Sequence, residues 1–163
     1  MNRTPQAIAT KLLAVEGLLR RRGLSVTHQR LGVYRCLLED DGHPDADRLF
    51  ARVRRELPTI SLGTVYKTLD TLKELGAIVE VDAPRSATRY EAVLEPHHHL
   101  VCDQCGKIVD LYEKRYSRLR PPRRAASGFE ITGCSVQFRG RCRDCAPMRH
   151  PNQKRPRRRI AAR

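Results

Sequence analysis

The sequence predicts an α+β protein built in two parts. Three observations predict it: four stretches of helical periodicity before Gly76, two β-like runs directly after them, and two Cys-x-x-Cys pairs in a shorter, strand-rich second part. Helices followed by a β-hairpin is the order of a winged helix-turn-helix. The alternative is a small helical bundle with an incidental hairpin, and the strongly basic charge favours the winged form.

The elements follow in chain order. Ile8, Leu12, Val15 and Leu19 recur at helical spacing. Thr27 is placed to cap a second helix carrying Leu31, Tyr34, Leu37 and Leu38 on its apolar side. After the loop His43-Pro44-Asp45, Asp45 caps a third helix with Ala46, Leu49, Phe50, Val53 and Leu57, which Pro58 ends. Ser61 opens a fourth with Leu62, Val65, Leu69 and Leu72 inward, stopped by Gly76. The runs 77–81 and 88–93 form the hairpin, joined by the turn-like 82–86, and a boundary falls near Leu94-Glu95-Pro96. Strands are expected at 98–101, 107–112 and within 129–139. A crossover helix is expected at 113–126, broken by Pro121-Pro122 and crowded by six basic residues. The domains are therefore expected at 1–94 and 95–146, followed by a basic, disordered tail at 147–163.

At 163 residues the chain has room for one ordinary domain or two small ones. Tryptophan is absent and aromatics make up 5%, so the core must rest on Leu, Val and Ile. A core that thin often needs a metal or a partner chain. The formal charge of +14 points to a polyanionic partner, most often nucleic acid. Residues 146–163 supply seven of those charges with no acid, leaving about +7 for the rest. No apolar run approaches the roughly 18 residues of a membrane span, and the N-terminus lacks the apolar stretch of a secretory signal. Closely paired thiols without an export signal favour metal binding over disulfides, and a cytoplasmic location. No nucleophile–base pair or cofactor loop supports an enzyme.

Cys102, Cys105, Cys142 and Cys145 read as a closed tetrahedral zinc site, since each Cys-x-x-Cys turn brings two thiolates to one ion. A redox dithiol or two disulfides are the alternatives, but a thioredoxin-like dithiol would precede a helix in a βαβ unit, and none is indicated. Gly106 suits the tight turn of a zinc knuckle. Cys36, on a helix, reads as a small buried hydrophobe, and Cys134 stands apart from both pairs and is assigned no metal. In the run His97-His98-His99, an extended backbone puts His97 and His99 on one face and His98 on the other. The pair would chelate one ion, and carboxylates from Glu91 and Asp110 on neighbouring runs would shift it toward iron(II) or manganese(II). A solvated surface loop is the plainer alternative.

The order of motifs resembles the ferric uptake regulator family. Those motifs are Thr27-His28-Gln29-Arg30, His43-Pro44-x-Ala46-Asp47, Ser61 to Leu69, the three histidines and Cys102-x-x-Cys105-Gly106-Lys107, and the similarity runs from about residue 8 to Cys145. It implies a homodimeric, metal-dependent DNA-binding repressor with an N-terminal winged helix and a C-terminal α/β dimerisation domain. It also implies a regulatory ion, Fe2+ or Mn2+, held where the domains meet by His43, Glu91, His97, His99 and Asp110, beside the structural Zn2+. The ion would bind the DNA-competent arrangement of the two winged helices better than the open one.

Within the family, Asp110 matches the peroxide-responsive branch, whereas Glu91 stands where that branch usually has aspartate. Iron-sensing members carry His-His-Asp-His before the first cysteine pair and a further histidine on the last strand. Here Pro96-His97-His98-His99 and Cys134 fill those positions, so the corresponding third metal site is expected to be missing. Peroxide sensing would oxidise a ligand imidazole, His43 or His97, through bound iron(II) and so release the repressor from DNA. Manganese(II) would repress without that sensitivity, and sulfenic acid chemistry fits poorly with zinc on four of six cysteines. An iron-responsive regulator is the alternative. A zinc-uptake regulator is further off, because that branch usually brings a cysteine into its sensing site.

Residues 61–76 would lie in the major groove as the recognition helix, with Ser61 and Thr64 donating to phosphates or base edges. The resemblance gives Tyr66 to thymine methyl groups and Lys67 to the backbone or a base, with helix-surface packing the alternative for Tyr66. Arg30 is a phosphate contact, and Ser25 stands where iron-type members carry a basic residue. The target implied by the resemblance is double-stranded DNA with an AT-rich inverted repeat, matching a two-fold dimer. The basic tail would add non-specific affinity and a steep salt dependence.

Overall fold

A computed structural model describes residues 4–83, 87–92, 97–119, 128, 130 and 136–146. Four helices come first: α1 (Pro5–Arg21), α2 (His28–Glu39), α3 (Ala46–Glu56) and α4 (Leu62–Glu74). The starts of α2, α3 and α4 are set by the residues expected to cap them. The side-chain oxygens of Thr27, Asp45 and Ser61 accept from the N–H groups of Arg30, Arg48 and Thr64 at 3.2, 2.8 and 3.1 Å. Thr4 caps α1, with Pro5 as its first residue. Both α1 and α4 end at a glycine with positive φ, Gly23 at 69° and Gly76 at 66°. In each case the following residue donates back across the glycine, Leu24 to Leu19 and Ala77 to Leu72, each at 2.9 Å.

The helices close around Leu19, Leu37, Leu38, Leu49, Leu69 and Leu72, with Val15, Val33, Val53 and Val65 between them. Cys36 is buried in this core, and burial pushes its thiol up to about 11. Strands β1 (Ile78–Val81) and β2 (Arg89–Ala92) pair antiparallel as the wing, with Val79 opposite Glu91. Ile78, Tyr90 and Ala92 of the wing seal the helical core. Val81 projects from the other face of β1 and joins a second core with Val101, Ile108 and Ala83. The wing therefore belongs to both halves of the molecule.

The second half holds a three-stranded sheet in the order β4-β3-β5, made of β3 (His98–Cys102), β4 (Ile108–Leu111) and β5 (Gln137–Gly140). Strand β3 runs antiparallel to β4, with His99 opposite Asp110, and parallel to β5, with His99 opposite Gln137. The parallel pairing requires a crossover. Of the expected crossover helix, the described part is the single turn α5 (Lys114–Ser117), and Pro121-Pro122 lie outside the described residues. So do the boundary at 93–96, Cys134 and the tail from 147 onward. A winged helix-turn-helix followed by a small α/β unit bearing a four-cysteine cluster is the fold the sequence predicts. No helix among the described residues is long and apolar enough to cross a membrane.

Candidate metal centres

Five side chains converge where the wing, the α2–α3 loop and the β4-β3 face meet: His43, Glu91, His97, His99 and Asp110. One nitrogen or oxygen from each lies within 4.8 Å of every other. Glu91 Oε1 is 2.7 Å from His97 Nε2, and its Oε2 is 3.1 Å from His99 Nε2. Asp110 Oδ1 is 3.0 Å from His43 Nε2 and 3.7 Å from His97 Nε2. His97 and His99 stand side by side with their Nε2 atoms 3.1 Å apart. His98 turns to the other face of β3, where its Nδ1 accepts from the Val136 N–H at 3.3 Å and its ring meets Tyr116 edge-on. The alternation expected for an extended His-x-His is present, and His43 and Glu91 are 4% and 5% exposed.

Four polar atoms of this cluster are left unsatisfied by the others. His43 Nδ1 and Nε2, Glu91 Oε1 and Asp110 Oδ1 are buried without a hydrogen-bonded partner, so the 2.7 and 3.0 Å approaches are not aligned as hydrogen bonds. Buried polar groups are normally paired, and two carboxylates this close repel. Burial pushes the His43 pKa below its ordinary 6.5, outweighing the opposite pull of Glu91 and Asp110 and leaving a neutral imidazole with a free lone pair. Three imidazoles and two carboxylates fit a divalent cation that accepts mixed nitrogen and oxygen donors, as iron(II), manganese(II) and zinc(II) do.

His43 is held there by contacts that spacing alone does not reveal. Its φ is 48°, an uncommon value for a residue with a side chain, and it precedes Pro44. Upstream, the buried Asp40 carboxylate accepts from the Gly42 N–H at 2.8 Å and pairs with Arg48 and Arg52 at 3.1 and 3.5 Å. Downstream, the Tyr90 N–H donates to the Pro44 carbonyl at 3.0 Å, and Arg89 reaches the His43 carbonyl at 3.4 Å. The strained loop is thus stitched to β2, the strand that carries Glu91. Asp40 and Arg89 were not singled out in the sequence, where each reads as one more surface charge.

The four cysteines form the second cluster. Cys102 ends β3, Cys105 follows in the turn closed by the Gly106 N–H on the Cys102 carbonyl (2.9 Å, Gly106 φ 71°), and Cys142 and Cys145 follow β5. Cys105 Sγ and Cys142 Sγ are 3.7 Å apart. A tetrahedron of sulfurs each about 2.3 Å from zinc has edges of about 3.8 Å. Backbone N–H groups of Cys105 and Cys142 hold the Cys102 thiol down at about 6, while hydrogen bonds with Cys105 and Cys142 push Cys145 up to about 12. Crowded thiols that cannot all ionise unaided suit a site completed by a cation. Lys107 and Asp144 pair at 3.3 Å between the two turns.

On the helical half, Ser61, Tyr66 and Lys67 are exposed along the first turns of α4, and Thr64 is half-buried. The Ser61 and Thr64 hydroxyls lie 2.9 Å apart, so the cap and its neighbour are hydrogen-bonded. Arg30 donates to the Ser25 carbonyl at the start of α2.

Fold and clusters together define a winged-helix protein with two donor sets suited to metal ions, one inside the second half and one between the halves. The ferric uptake regulator family model matches residues 21–139. The chain is 30% identical over 127 residues to the peroxide-responsive repressor PerR of Staphylococcus saprophyticus, covering 78% of this chain and 86% of that one. It is similar to the solved Campylobacter jejuni peroxide stress regulator, with a TM-score of 0.62 and 34% identity over 79% of this chain and 97% of that one. A zinc uptake regulator complexed with zinc and DNA superposes with a TM-score of 0.59 at 25% identity, covering 84% and 93%. The chain belongs to the ferric uptake regulator family, a family of metal-dependent transcriptional repressors.

The burial of His43 makes a pH prediction. Unfolded histidine takes up its proton near pH 6.5, and the folded, buried one only at lower pH, so unfolding binds a proton between the two values. Stability without iron or manganese is therefore full above about pH 6.5 and declines as pH falls below it. His43→Gln flattens that decline in urea midpoints measured against pH. An unchanged slope in the variant would assign the decline to other groups.

Proposed function

We propose that this chain is a homodimeric, metal-dependent repressor that senses peroxide through oxidation of a histidine in the five-residue site. The observation that carries the reading is the convergence of His43 and Glu91, from the winged half, with His97, His99 and Asp110, from the sheet. A cation held by both halves binds the arrangement that offers five donors better than one that offers three, and so fixes the winged helix relative to the sheet. The peroxide-responsive names of the relatives at 30% and 34% identity support that branch over the iron-responsive one.

In this reading Cys102, Cys105, Cys142 and Cys145 hold structural zinc, and the five-residue site takes iron(II) or manganese(II). Bound iron(II) supplies the reduction of peroxide that makes a neighbouring carbon–hydrogen bond oxidisable. His43 and His97 each bring their own Nε2 to the carboxylates, at 3.0 Å from Asp110 and 2.7 Å from Glu91. An imidazole that gains one oxygen no longer matches the pocket, and the winged helix is released. Ser61, Thr64, Tyr66 and Lys67 of α4, with Arg30, contact an AT-rich inverted repeat in double-stranded DNA, and the basic composition makes that affinity fall steeply with salt.

Mass spectrometry tests the sensing step. Trypsin separates residues 36–48, holding His43, from residues 90–107, holding His97. After anaerobic loading with iron(II) and one equivalent of peroxide, one of these peptides gains a single oxygen, and neither does in a manganese-loaded control. Unmodified peptides with iron demonstrably bound would move the protein to iron regulation.

Two variants separate the metal roles. His97→Ala keeps its zinc and its circular dichroism but loses metal-dependent retention of a palindromic duplex in gel shifts. Retention equal to wild type would remove His97 from the sensing site. Cys102→Ser loses zinc and sediments as a monomer, whereas a stable zinc-free dimer would contradict the structural role of the four thiolates.

A further inference from the structure

We propose that Tyr112 is a positioning residue of the five-residue site, setting both the orientation of Asp110 and the seat of His97. The inference rests on the reading of that site as metal-binding. Tyr112 follows β4 directly and lies two residues after Asp110, so both side chains leave the extended backbone on one side. Its ring stacks on the His97 imidazole with centroids 5.2 Å apart and planes at 29°. Its hydroxyl donates to Asp110 Oδ2 at 3.4 Å. One side chain therefore touches two of the five donors by two different means. Its outer face is open to solvent, at 49% exposed, so the ring walls the site off from water.

The consequence for Asp110 is specific. With Oδ2 engaged by the hydroxyl, Oδ1 is the oxygen left at 3.0 Å from His43 Nε2 and 3.7 Å from His97 Nε2. The carboxylate is thereby presented through one oxygen in a fixed rotamer. Without the hydroxyl it is free to turn, and the ordering must be supplied on binding. Partners of this kind around metal ligands typically change affinity 10–100-fold when removed. An aromatic that merely covered the sheet would act through its ring alone, and phenylalanine would replace it without loss.

Tyr112→Phe keeps the ring and deletes the hydroxyl, so it isolates the effect on Asp110. Manganese(II) titrations of the zinc-loaded full chain are expected to show affinity about tenfold weaker than wild type. The electron paramagnetic resonance spectrum of the bound manganese(II) changes shape as Asp110 reorients, while zinc content and melting temperature hold. Tyr112→Leu, which also removes the stack on His97, weakens binding further. Affinity for Tyr112→Phe within twofold of wild type, with a superimposable spectrum, would overturn the proposal. If the wild type takes up zinc alone and no manganese(II), the metal reading of the five-residue site fails first, and the role of Tyr112 falls with it.

Discussion

Two carboxylates, the buried Glu91 and the half-buried Asp110, face three imidazoles without enough hydrogen bonds to satisfy their inward oxygens. In water they would separate. Here neither can leave, because Glu91 is fixed in the wing opposite Val79 and Asp110 in the sheet opposite His99. An unpaired buried charge costs several kcal/mol. No Lys or Arg head group is close enough to pair with either carboxylate among the described residues. In the proposed reading a divalent cation removes the conflict without adding another group to the core, and the loop and wing meet the need to surround it.

The α2–α3 loop shows how much structure that need commands. A histidine at φ 48° before a proline would relax to an extended backbone if left free. It is held instead by the Asp40 carboxylate and its two arginines on one side and by Arg89 and the Tyr90 N–H on the other. Strain of this kind persists where the surroundings over-determine the backbone. The Arg89 and Tyr90 contacts bind the loop to β2, so His43 and the Glu91 that β2 carries are held together on the winged half.

The sequence made the helices legible because each has a capping oxygen at its start and a leucine or valine face at helical spacing. Thr27, Asp45 and Ser61 each cap the helix expected of them. The cysteine pairs were legible because the two thiols of Cys-x-x-Cys cannot lie far apart. The side of the strand on which His97 and His99 project followed from the two-residue alternation of extended backbone. What could not be read was which distant groups come to them. His43 is more than fifty residues away in sequence, and only the resemblance to a family joined it to Asp110. Asp40, Arg89 and Tyr112 act through a carbonyl, a loop or a ring face. Such contacts leave no periodicity behind, and a lone charged or aromatic residue in sequence is most often surface.

Among the described residues, apolar contacts and a hydrogen bond also join the halves at a seam beside the cluster. Val81 and Ala83 of the wing meet Val101 and Ile108 of the sheet, and Gln137 donates to the Asp82 carbonyl at 2.7 Å. Burial of a valine or isoleucine contributes roughly 1.5–3 kcal/mol, and one net hydrogen bond about 1 kcal/mol. Such a contact positions the wing, but part of its apolar gain is lost again to the ordering of the two halves. Moving a two-state balance from 1:99 to 99:1 takes about 5.5 kcal/mol of differential binding. A surface ion pair, at about 1 kcal/mol or less, is too weak to supply it. In the proposed site the winged half contributes two further donors to a divalent ion, His43 and Glu91. In the proposed function the switching energy therefore resides in the five-residue cluster and not in the apolar seam, and a chemical change to one imidazole there is enough to reset it.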